Sequence, residues 1–420
     1  MNTAESTATT PLLRRLNMAA VLEYLMGVSA VTGSEVMTAT GLSRPTVHAA
    51  CDHLINLGWV VELDGRRPEG DGRPGRPARC YQFNAEAGYV LGIDLGEHKV
   101  SVMLADLRGE AVATATERSE PDDSAATRLA TTRRAIRSAS KTAGVESSQI
   151  LAASIGVPAP VTPAGRLVAS SDPEYLPGMA DVDIVKGVRR GHHWPVLLEN
   201  DANLAVLGER WKGVGVGVDN LIVILSGERL GAGLVLGGQL IRGFGGGAGE
   251  LTFLELVEGI GDTHGIGAFA RIQARDAVAT LRKAKRGPSA RSGDEDSRHP
   301  ADALLALSQG DPARITGDLV TAAARAGDPV AVEILGRVAE RMARVVGVMA
   351  TMLNPQMVVI GGASAEALEL IHDPIAQRLS AYTKQPPQLE RTRLGDRGVL
   401  LGAVRLALDH VQTHVFDALN

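Results

Sequence analysis

Residues 92–100, GIDLGEHKV, read as a buried strand that runs into a glycine turn. A turn of this kind lets backbone N–H groups approach an anion such as a phosphate. Here Glu97 and His98 occupy the positions where another small residue would leave room for that anion. The stretch raises two hypotheses: a working nucleotide site, or the remnant of one that now serves another purpose.

The outline of this stretch occurs twice in the chain. Residues 88–112 predict strand, turn, strand, turn and strand, and residues 219–243 repeat the pattern. Helical stretches follow each copy. Repeated β-hairpin units with helices predict two similar α/β lobes that face a cleft.

The N-terminal region has a different character. Residues 12–28 carry apolar side chains at helical spacing, Ser34 is positioned to cap a short second helix, and Ser43 to cap a third helix over residues 44–57. Pro45 falls in the first turn of that third helix, where its missing N–H is tolerated. Two helices joined across a short glycine turn predict a helix-turn-helix.

A basic hairpin follows these helices. Residues 58–63 and 80–83 read as paired strands, and the loop 65–79 between them holds five arginines against two carboxylates. This combination predicts a winged helix that binds DNA; a helical bundle without a DNA role and a charged linker are the alternatives. We expect Arg44, Thr46 and His48 to meet base edges. Phosphate or minor-groove contacts are expected from Arg73, Arg76 and Arg79.

Composition limits the class of protein. The chain has 420 residues, enough for two or three domains, and a formal net charge of −5, which excludes a uniformly basic nucleic-acid coat. Its two cysteines, Cys51 and Cys80, are too few for a disulfide scaffold or a Cys-rich metal site. No signal peptide and no membrane-spanning apolar run is evident. We expect a cytoplasmic protein with no membrane association, no cofactor and no metal.

Six motifs occur in order along the chain: GIDLG (92–96), ENDAN (199–203), LGERW (207–211), GGQLIRG (237–243), GGAGE (246–250) and VIGG (359–362). With the winged helix in front of them, the chain resembles the transcription-regulator branch of the ROK family of repressors, open reading frames and kinases. The resemblance implies an actin/hexokinase-like fold of two lobes, commonly in a homodimer or dimer of dimers.

We therefore expect three parts. Residues 1–84 form the winged helix-turn-helix, residues 85–200 the first lobe, completed by a C-terminal helix at 398–420, and residues 201–397 the second lobe. A polar stretch without periodicity at residues 284–300 is expected to be a mobile insertion.

The resemblance also allows the kinase site to be compared position by position. Kinase members usually carry Gly-Gly-Thr-Lys at the first phosphate turn, where this chain has Gly96-Glu97-His98-Lys99. Their Gly-Thr-Gly-x-Gly second turn corresponds to GERLG at residues 227–231. Both replacements add bulk and a carboxylate; Lys99 and Arg229 offset part of the added negative charge. We expect the nucleotide site to be unusable and the protein not to be an enzyme.

The sugar-binding positions are partly retained. Asp201 matches the family's catalytic aspartate, which takes a proton from the sugar hydroxyl, and Asn200, Asp201 and Glu250 match positions that bind sugar hydroxyls. A helix-capping role for Asp201 is an alternative. Phe253 replaces a family histidine, so recognition is expected to be altered. The family's structural zinc loop corresponds to residues 253–269, which lack cysteine, and His264 is expected to be a surface histidine.

The leading hypothesis is a homodimeric or homotetrameric regulator of carbohydrate-related genes that binds a palindrome-like double-stranded DNA operator and responds to a sugar or sugar derivative. Two alternatives stay open. One is an active ATP-dependent sugar kinase with an added DNA-binding domain. The other is a regulator that acts without a metabolite, where a different small molecule or no ligand enters the cleft.

Overall fold

The computed structural model describes residues 9–63, 79–168, 176–285, 301–362 and 365–414. Within these ranges a small helical unit with a three-stranded sheet precedes two five-stranded sheets. The α/β fold predicted from the sequence, a winged helix-turn-helix followed by two lobes, is confirmed. From residue 286 onward the predicted insertion at 284–300 lies outside the described residues, as does the predicted C-terminal helix beyond residue 414.

The N-terminal unit has three helices and three strands. In chain order they are α1 (Thr9–Gly27), β1 (Ala30–Thr32), α2 (Gly33–Thr40), α3 (Arg44–Asn56), β2 (Val60–Leu63) and β3 (Cys80–Phe83). The strands lie in the order β1-β3-β2, and both pairs are antiparallel. The hairpin of β2 and β3 is the predicted wing, and β1 adds a strand to it that the sequence pattern did not reveal.

Helix capping explains where α2 and α3 begin. The Ser43 hydroxyl accepts a hydrogen bond from the N–H of Thr46, as predicted for α3. The predicted cap of α2 at Ser34 is wrong, because Thr32 caps this helix in a reciprocal arrangement with Glu35. The predicted inner face of α3 is buried, namely Val47, Ala50, Cys51 and Leu54.

The first lobe is built on one mixed sheet. Its elements are β4 (Tyr89–Leu95), β5 (Lys99–Asp106), β6 (Ala111–Arg118), α4 (Ala125–Ala143), β7 (Ile150–Val157), α5 (Ile184–Arg189) and β8 (Val196–Asn200). The strand order is β6-β5-β4-β7-β8. The β4–β5 and β5–β6 pairs are antiparallel, whereas β7 runs parallel to β4 and β8.

The second lobe repeats this topology. Its elements are α6 (Asp201–Lys212), β9 (Leu221–Ser226), β10 (Leu230–Leu236), β11 (Gln239–Leu240), α7 (Ile266–Lys285), α8 (Asp302–Leu307), α9 (Gly317–Arg325), α10 (Pro329–Leu353), β12 (Met357–Gly362), α11 (Ala365–Leu379) and β13 (Gln388–Arg391). The helix that follows them, α12 (Gly398–His414), packs on the first sheet. The sheet order β11-β10-β9-β12-β13 and its strand directions match those of the first sheet.

Two helices join the lobes. Helix α12 packs on β4 and β7 of the first sheet, α6 packs on β9 and β10 of the second, and the two helices pack against each other. They approach so closely that a Cβ at Gly402 would lie 1.7 Å from the carbonyl oxygen of Leu204. The expected lobe boundary at residue 200 coincides with the end of β8; the boundaries themselves stay a prediction.

The winged helix is docked on the first lobe. Buried side chains of α1 and α3 belong to the same apolar cluster as residues of β5 and α12. Arg108, in the turn between β5 and β6, donates hydrogen bonds to the carbonyl oxygens of Met26 at 3.0 Å and Val28 at 2.8 Å, at the end of α1. Its guanidinium also lies 5.5 Å from the centre of the Phe83 ring. Arg108 therefore connects the lobe directly to the helix-turn-helix.

Candidate functional site

A cleft between the two sheets encloses a cavity of about 720 Å³. Both glycine turns discussed above line it, at residues 96–99 and 227–231, and so do Asn200, Asp201 and Glu250. The repeated topology explains this, because each turn follows the first strand of its lobe's hairpin and the two hairpins face each other. The structure thus brings together the cleft residues that the sequence singled out.

Asn200 and Asp201 lie at the start of α6. Asn200 is the capping residue: its side-chain oxygen accepts from the N–H of Asn203 at 3.1 Å, and its amide donates to the carbonyl oxygen of Ala159 at 3.2 Å. Asp201 accepts from the N–H of Ala202 at 2.7 Å through one carboxyl oxygen, and it lines the cavity. Asn200 is therefore committed to the local fold, and Asp201 is the more available of the two for a ligand.

Three carboxyl groups in the cleft are held towards their neutral forms. Burial raises the pKa of Asp201 to about 8, and the nearby Asp94 and Glu250 add to the effect. Burial also raises the pKa of Asp94 to about 6, and it raises the pKa of Glu250, an effect that Arg229 opposes. A carboxyl group that carries its proton both donates and accepts hydrogen bonds, which matches a sugar hydroxyl.

Sequence reasoning missed Asp94, although it stands in the opening stretch. The signal was present, because Asp94 is the single charged residue in β4 and every other residue of that strand is buried. A carboxylate at the end of a buried strand indicates a site.

The first turn carries its acidic residue towards the cavity. Glu97 and His98 line the cavity, and Lys99 forms an ion pair with Asp396 at 2.8 Å. Lys99 was expected to offset the added negative charge of the turn. In the structure its ammonium group pairs with the carboxylate of Asp396, which lies just before α12.

The second turn is neutralised by a residue that the sequence did not indicate. Glu228 binds Arg271 of α7 through two hydrogen bonds of 3.0 and 2.8 Å, and the Arg271 bonds lower the pKa of Glu228. His98 of the opposite lobe lies 3.9 Å from Glu228. A forked arginine–carboxylate pair is a stable, geometrically specific contact, so Arg271 and not Arg229 balances this acid.

The charge of the cavity wall is acidic. Eight acidic side chains line it, namely Asp94, Glu97, Asp201, Glu209, Glu228, Glu250, Asp318 and Asp396, against three cationic ones, Lys99, Arg229 and Arg271. Burial raises the pKa of four of these acids, namely Asp94, Asp201, Glu209 and Glu250, so the negative charge is concentrated on the other four. Two of those cations are already paired with Asp396 and Glu228. This balance opposes a polyanionic ligand and suits a neutral one rich in hydroxyl groups.

The segment that corresponds to the family's zinc loop is held by hydrogen bonds. His264 is half-buried, and its Nδ1 lies 2.7 Å from a carboxyl oxygen of Asp262. Across the described ranges, no group of three His, Cys, Asp or Glu side chains is arranged to hold a metal ion. The buried Arg341 binds the carbonyl oxygens of Ile260, Asp262 and His264.

The candidate DNA-reading face is the start of α3. Arg44 is exposed and Thr46 half-buried at this end of the helix. His48 is placed differently from the expectation, because its Nδ1 lies 2.8 Å from the hydroxyl of Tyr81 in β3. Arg44 approaches the same imidazole, with its Nε 3.5 Å from Nε2. His48 thus joins α3 to the wing.

The wing contains one described arginine of the three expected to contact the DNA backbone. Arg79 binds Asp52 of α3 and Glu62 of β2, each at 2.6 Å, and lies 5.2 Å from the centre of the Tyr81 ring. This engagement does not support a free phosphate contact for Arg79. Arg73 and Arg76 lie outside the described residues.

Two family models match this chain, one in each of its parts. The model of the ROK family matches residues 90–410. The chain belongs to the ROK family. A MarR family model matches residues 17–74, which include the helix-turn-helix and the first strand of the wing. A ROK domain behind such a DNA-binding unit is the organisation of a transcriptional regulator.

Individual relatives fall into two groups. The xylose repressor of Caldicellulosiruptor bescii is 26% identical over 94% of this chain and 96% of its own length. A solved ROK family transcriptional regulator, a homolog of the E. coli MLC protein, covers 97% of this chain and 98% of its own, at 21% identity and a TM-score of 0.69, and supports the fold. A glucokinase of Streptomyces coelicolor is 32% identical over 51% of this chain and 67% of its own length. The chain is thus similar to regulators over nearly its whole length and to a kinase over about half of it.

No helix in the described ranges is long and apolar enough to cross a bilayer.

Proposed function

We propose that this ROK regulator binds a neutral sugar in its cleft without phosphorylating it, and that sugar binding changes its affinity for DNA at carbohydrate-related genes. The observation that carries the proposal is the state of the cleft. Asp94, Asp201 and Glu250 converge on one cavity, while the acidic side chains Glu97 and Glu228 stand at both would-be phosphate turns. The cleft therefore retains groups suited to hydroxyls, and it carries added carboxylates at the turns where a kinase would hold a triphosphate.

Electrostatic repulsion in the cleft favours a neutral sugar over a triphosphate. Two like unit charges about 4 Å apart repel by roughly 4 kcal/mol at an effective dielectric near 20. A bound triphosphate would meet Glu97 and Glu228, which share the charge of the single guanidinium of Arg271, and would have to break the Glu228–Arg271 pair to use that arginine. A neutral sugar meets neither cost.

The DNA-binding part is proposed to act as a pair. Two winged helices in a homodimer or homotetramer would read a palindrome-like operator with half-sites one or two helical turns apart. Arg44 and Thr46 are proposed to meet base edges and Arg73 and Arg76 the backbone, whereas His48 and Arg79 set the angle of the wing. A cytoplasmic location stays a prediction from the sequence.

A thermal-shift panel of neutral sugars, sugar phosphates and ATP with magnesium tests the ligand class. A ligand at a hundred times its Kd stabilises the folded state by about 2.7 kcal/mol. We expect stabilisation by at least one neutral sugar, and none by ATP. No shift with any sugar would favour the alternative of a regulator that acts without a metabolite.

The competing function is a sugar kinase with an added DNA-binding domain. It is favoured by the retained Asp201 and by the glucokinase relative. Incubation with ATP, magnesium and a set of hexoses is expected to release no ADP above background. ADP release that disappears in the Asp201→Asn variant would establish the kinase and refute the proposal.

A further inference from the structure

Arg128 and Arg341 are the two largest of the fully buried side chains in the described part of the chain. Neither belongs to the cleft wall, and neither was indicated by the sequence. Burying a guanidinium is costly unless hydrogen-bond acceptors surround it. The identity of those acceptors therefore shows what each arginine does.

Arg128, on α4, collects backbone oxygens from the first turn and the loop before α4. Its Nη1 donates to the carbonyl oxygens of Gly96 at 3.2 Å and Glu97 at 3.1 Å. Its Nη2 donates to the carbonyl oxygens of Glu120 at 2.6 Å and Pro121 at 2.8 Å. One side chain thus joins the cleft turn to the segment that leads into α4.

The orientation of these peptides has a consequence for the cavity. In a trans peptide the N–H points away from the C=O of the same peptide unit. Because the carbonyl groups of Gly96 and Glu97 point at Arg128, the N–H groups of Glu97 and His98 point away from Arg128, and both of these residues line the cavity. Arg128 therefore sets the direction of the turn's donors.

Arg341, on α10, does the corresponding work in the second lobe. It donates to the carbonyl oxygens of Ile260 at 2.9 Å and His264 at 2.6 Å, and also to that of Asp262, while its guanidinium lies 4.7 Å from the Phe269 ring centre. Three acceptors from five consecutive residues fix the shape of this loop.

That loop in turn supports the second cleft turn. The N–H of Leu230 donates to the carbonyl oxygen of Thr263, and the N–H of Gly265 donates to that of Glu228, both at 2.8 Å. The loop and the turn pack so closely that a Cβ on Gly265 would lie 1.9 Å from the carbonyl oxygen of Gly227. A shift of the loop therefore shifts the turn.

We propose that Arg128 and Arg341 are positioning residues, one in each lobe, that hold the two cleft turns in shape from inside the protein before any ligand arrives. The claim concerns the turns and stands independently of which ligand the cleft takes. It predicts a local loss of order when either guanidinium is removed.

Hydrogen exchange of the full-length protein tests this. In Arg341→Met, exchange at the amides of Leu230 and Gly265 is expected to accelerate roughly tenfold or more. In Arg128→Met, the same acceleration is expected at the amides of Gly96 and Ser119, which donate to Lys99 and His98 in the first turn. The matched controls are Arg337→Met on α10 and Arg134→Met on α4, both more exposed arginines in ion pairs.

The pattern of exchange separates positioning from general stability. Acceleration confined to the turn of the substituted lobe, with α6 and α12 unchanged, supports the proposal. Equal acceleration across the whole chain, or unchanged turns, overturns it. If a Met variant fails to fold, the Ala variant is refolded with millimolar guanidinium chloride: recovery of the turn's protection with guanidinium, but not with sodium chloride, supports the proposal, and no recovery contradicts it.

Discussion

Replacing Asp201 with Asn is expected to stabilise the protein, and more so at pH 8 than at pH 5. The Asp201 carboxyl group has a pKa of about 8 in the folded chain, against 3.8 ordinarily. The folded state therefore holds a proton that the unfolded state releases above its lower pKa. Stability contributed by this group is present below pH 3.8 and is lost as the pH rises towards 8.

The difference between the two pKa values of Asp201 sets the free-energy cost of ionising it in the folded protein. At about 1.36 kcal/mol per pKa unit, the full cost of Asp201 at pH 8 has an upper limit near 6 kcal/mol. Asp201 is only half-buried by surface area, because the cleft is open to water, and Asp94 titrates with it. Water and relaxation of neighbouring groups reduce the net gain on substitution to about 1–2 kcal/mol, or a rise in Tm of roughly 1–2 °C for a chain of 420 residues.

The assay is thermal unfolding of the wild-type and Asp201→Asn proteins across pH 5 to 8, followed by intrinsic fluorescence. Asp318→Asn is the control, since Asp318 lines the same cavity but is exposed. A gain in Tm that grows with pH for Asp201→Asn alone agrees with the reasoning. An equal gain at both pH values, or a loss at pH 8, would refute it.

Three further predictions concern the DNA contact, the contact between the first lobe and α1, and the crossing of α6 and α12. In salt titrations of DNA binding, Arg76→Ala should reduce the slope of log Kd against log salt concentration by about one. Arg79→Ala should leave that slope unchanged, because Asp52 and Glu62 already bind this arginine. Equal effects of the two variants would be evidence against a phosphate contact by Arg76 alone. Arg108→Ala should speed hydrogen exchange at the end of α1 and cost about 1–2 kcal/mol of stability through loss of two carbonyl contacts, and unaltered exchange there would rule out the proposed connection. Gly402→Ala should lower the free energy of unfolding in denaturant by about 2–3 kcal/mol, because the added Cβ meets the carbonyl oxygen of Leu204. Gly398→Ala in the same helix has open space and should be close to neutral. Similar values for both variants would contradict the close crossing of α6 and α12.

Much of the fold could be predicted because its signals are local. Ser43 caps α3 through a residue three positions away, and the repeated hairpin pattern at residues 88–112 and 219–243 is reproduced in two sheets of identical topology. The cap of α2 was misassigned because Ser34 and Thr32 are both competent caps. The reciprocal bond of Glu35 to the Thr32 N–H decides between them.

The partners of the site residues could not be predicted, because they are remote in sequence. Lys99 and Asp396 are 297 positions apart, and Arg271 is 43 positions from Glu228. No periodicity links such pairs, so the sequence shows that a charge has been added to a turn without showing what balances it. The same holds for Arg128 and Arg341, because most of their acceptors are backbone oxygens that any sequence would provide.

The central claim is that a neutral sugar, and not a nucleotide, controls DNA binding through this cleft. Fluorescence anisotropy on an operator fragment chosen by genome-wide mapping of bound DNA tests it most directly, with the sugar that gives the largest thermal shift, or D-xylose if none does, and ATP with magnesium in parallel. We predict that the sugar changes operator affinity at least about tenfold, equivalent to about 1.4 kcal/mol of coupling, and that ATP changes nothing. A change produced by ATP, or no change with the sugar, would contradict the account.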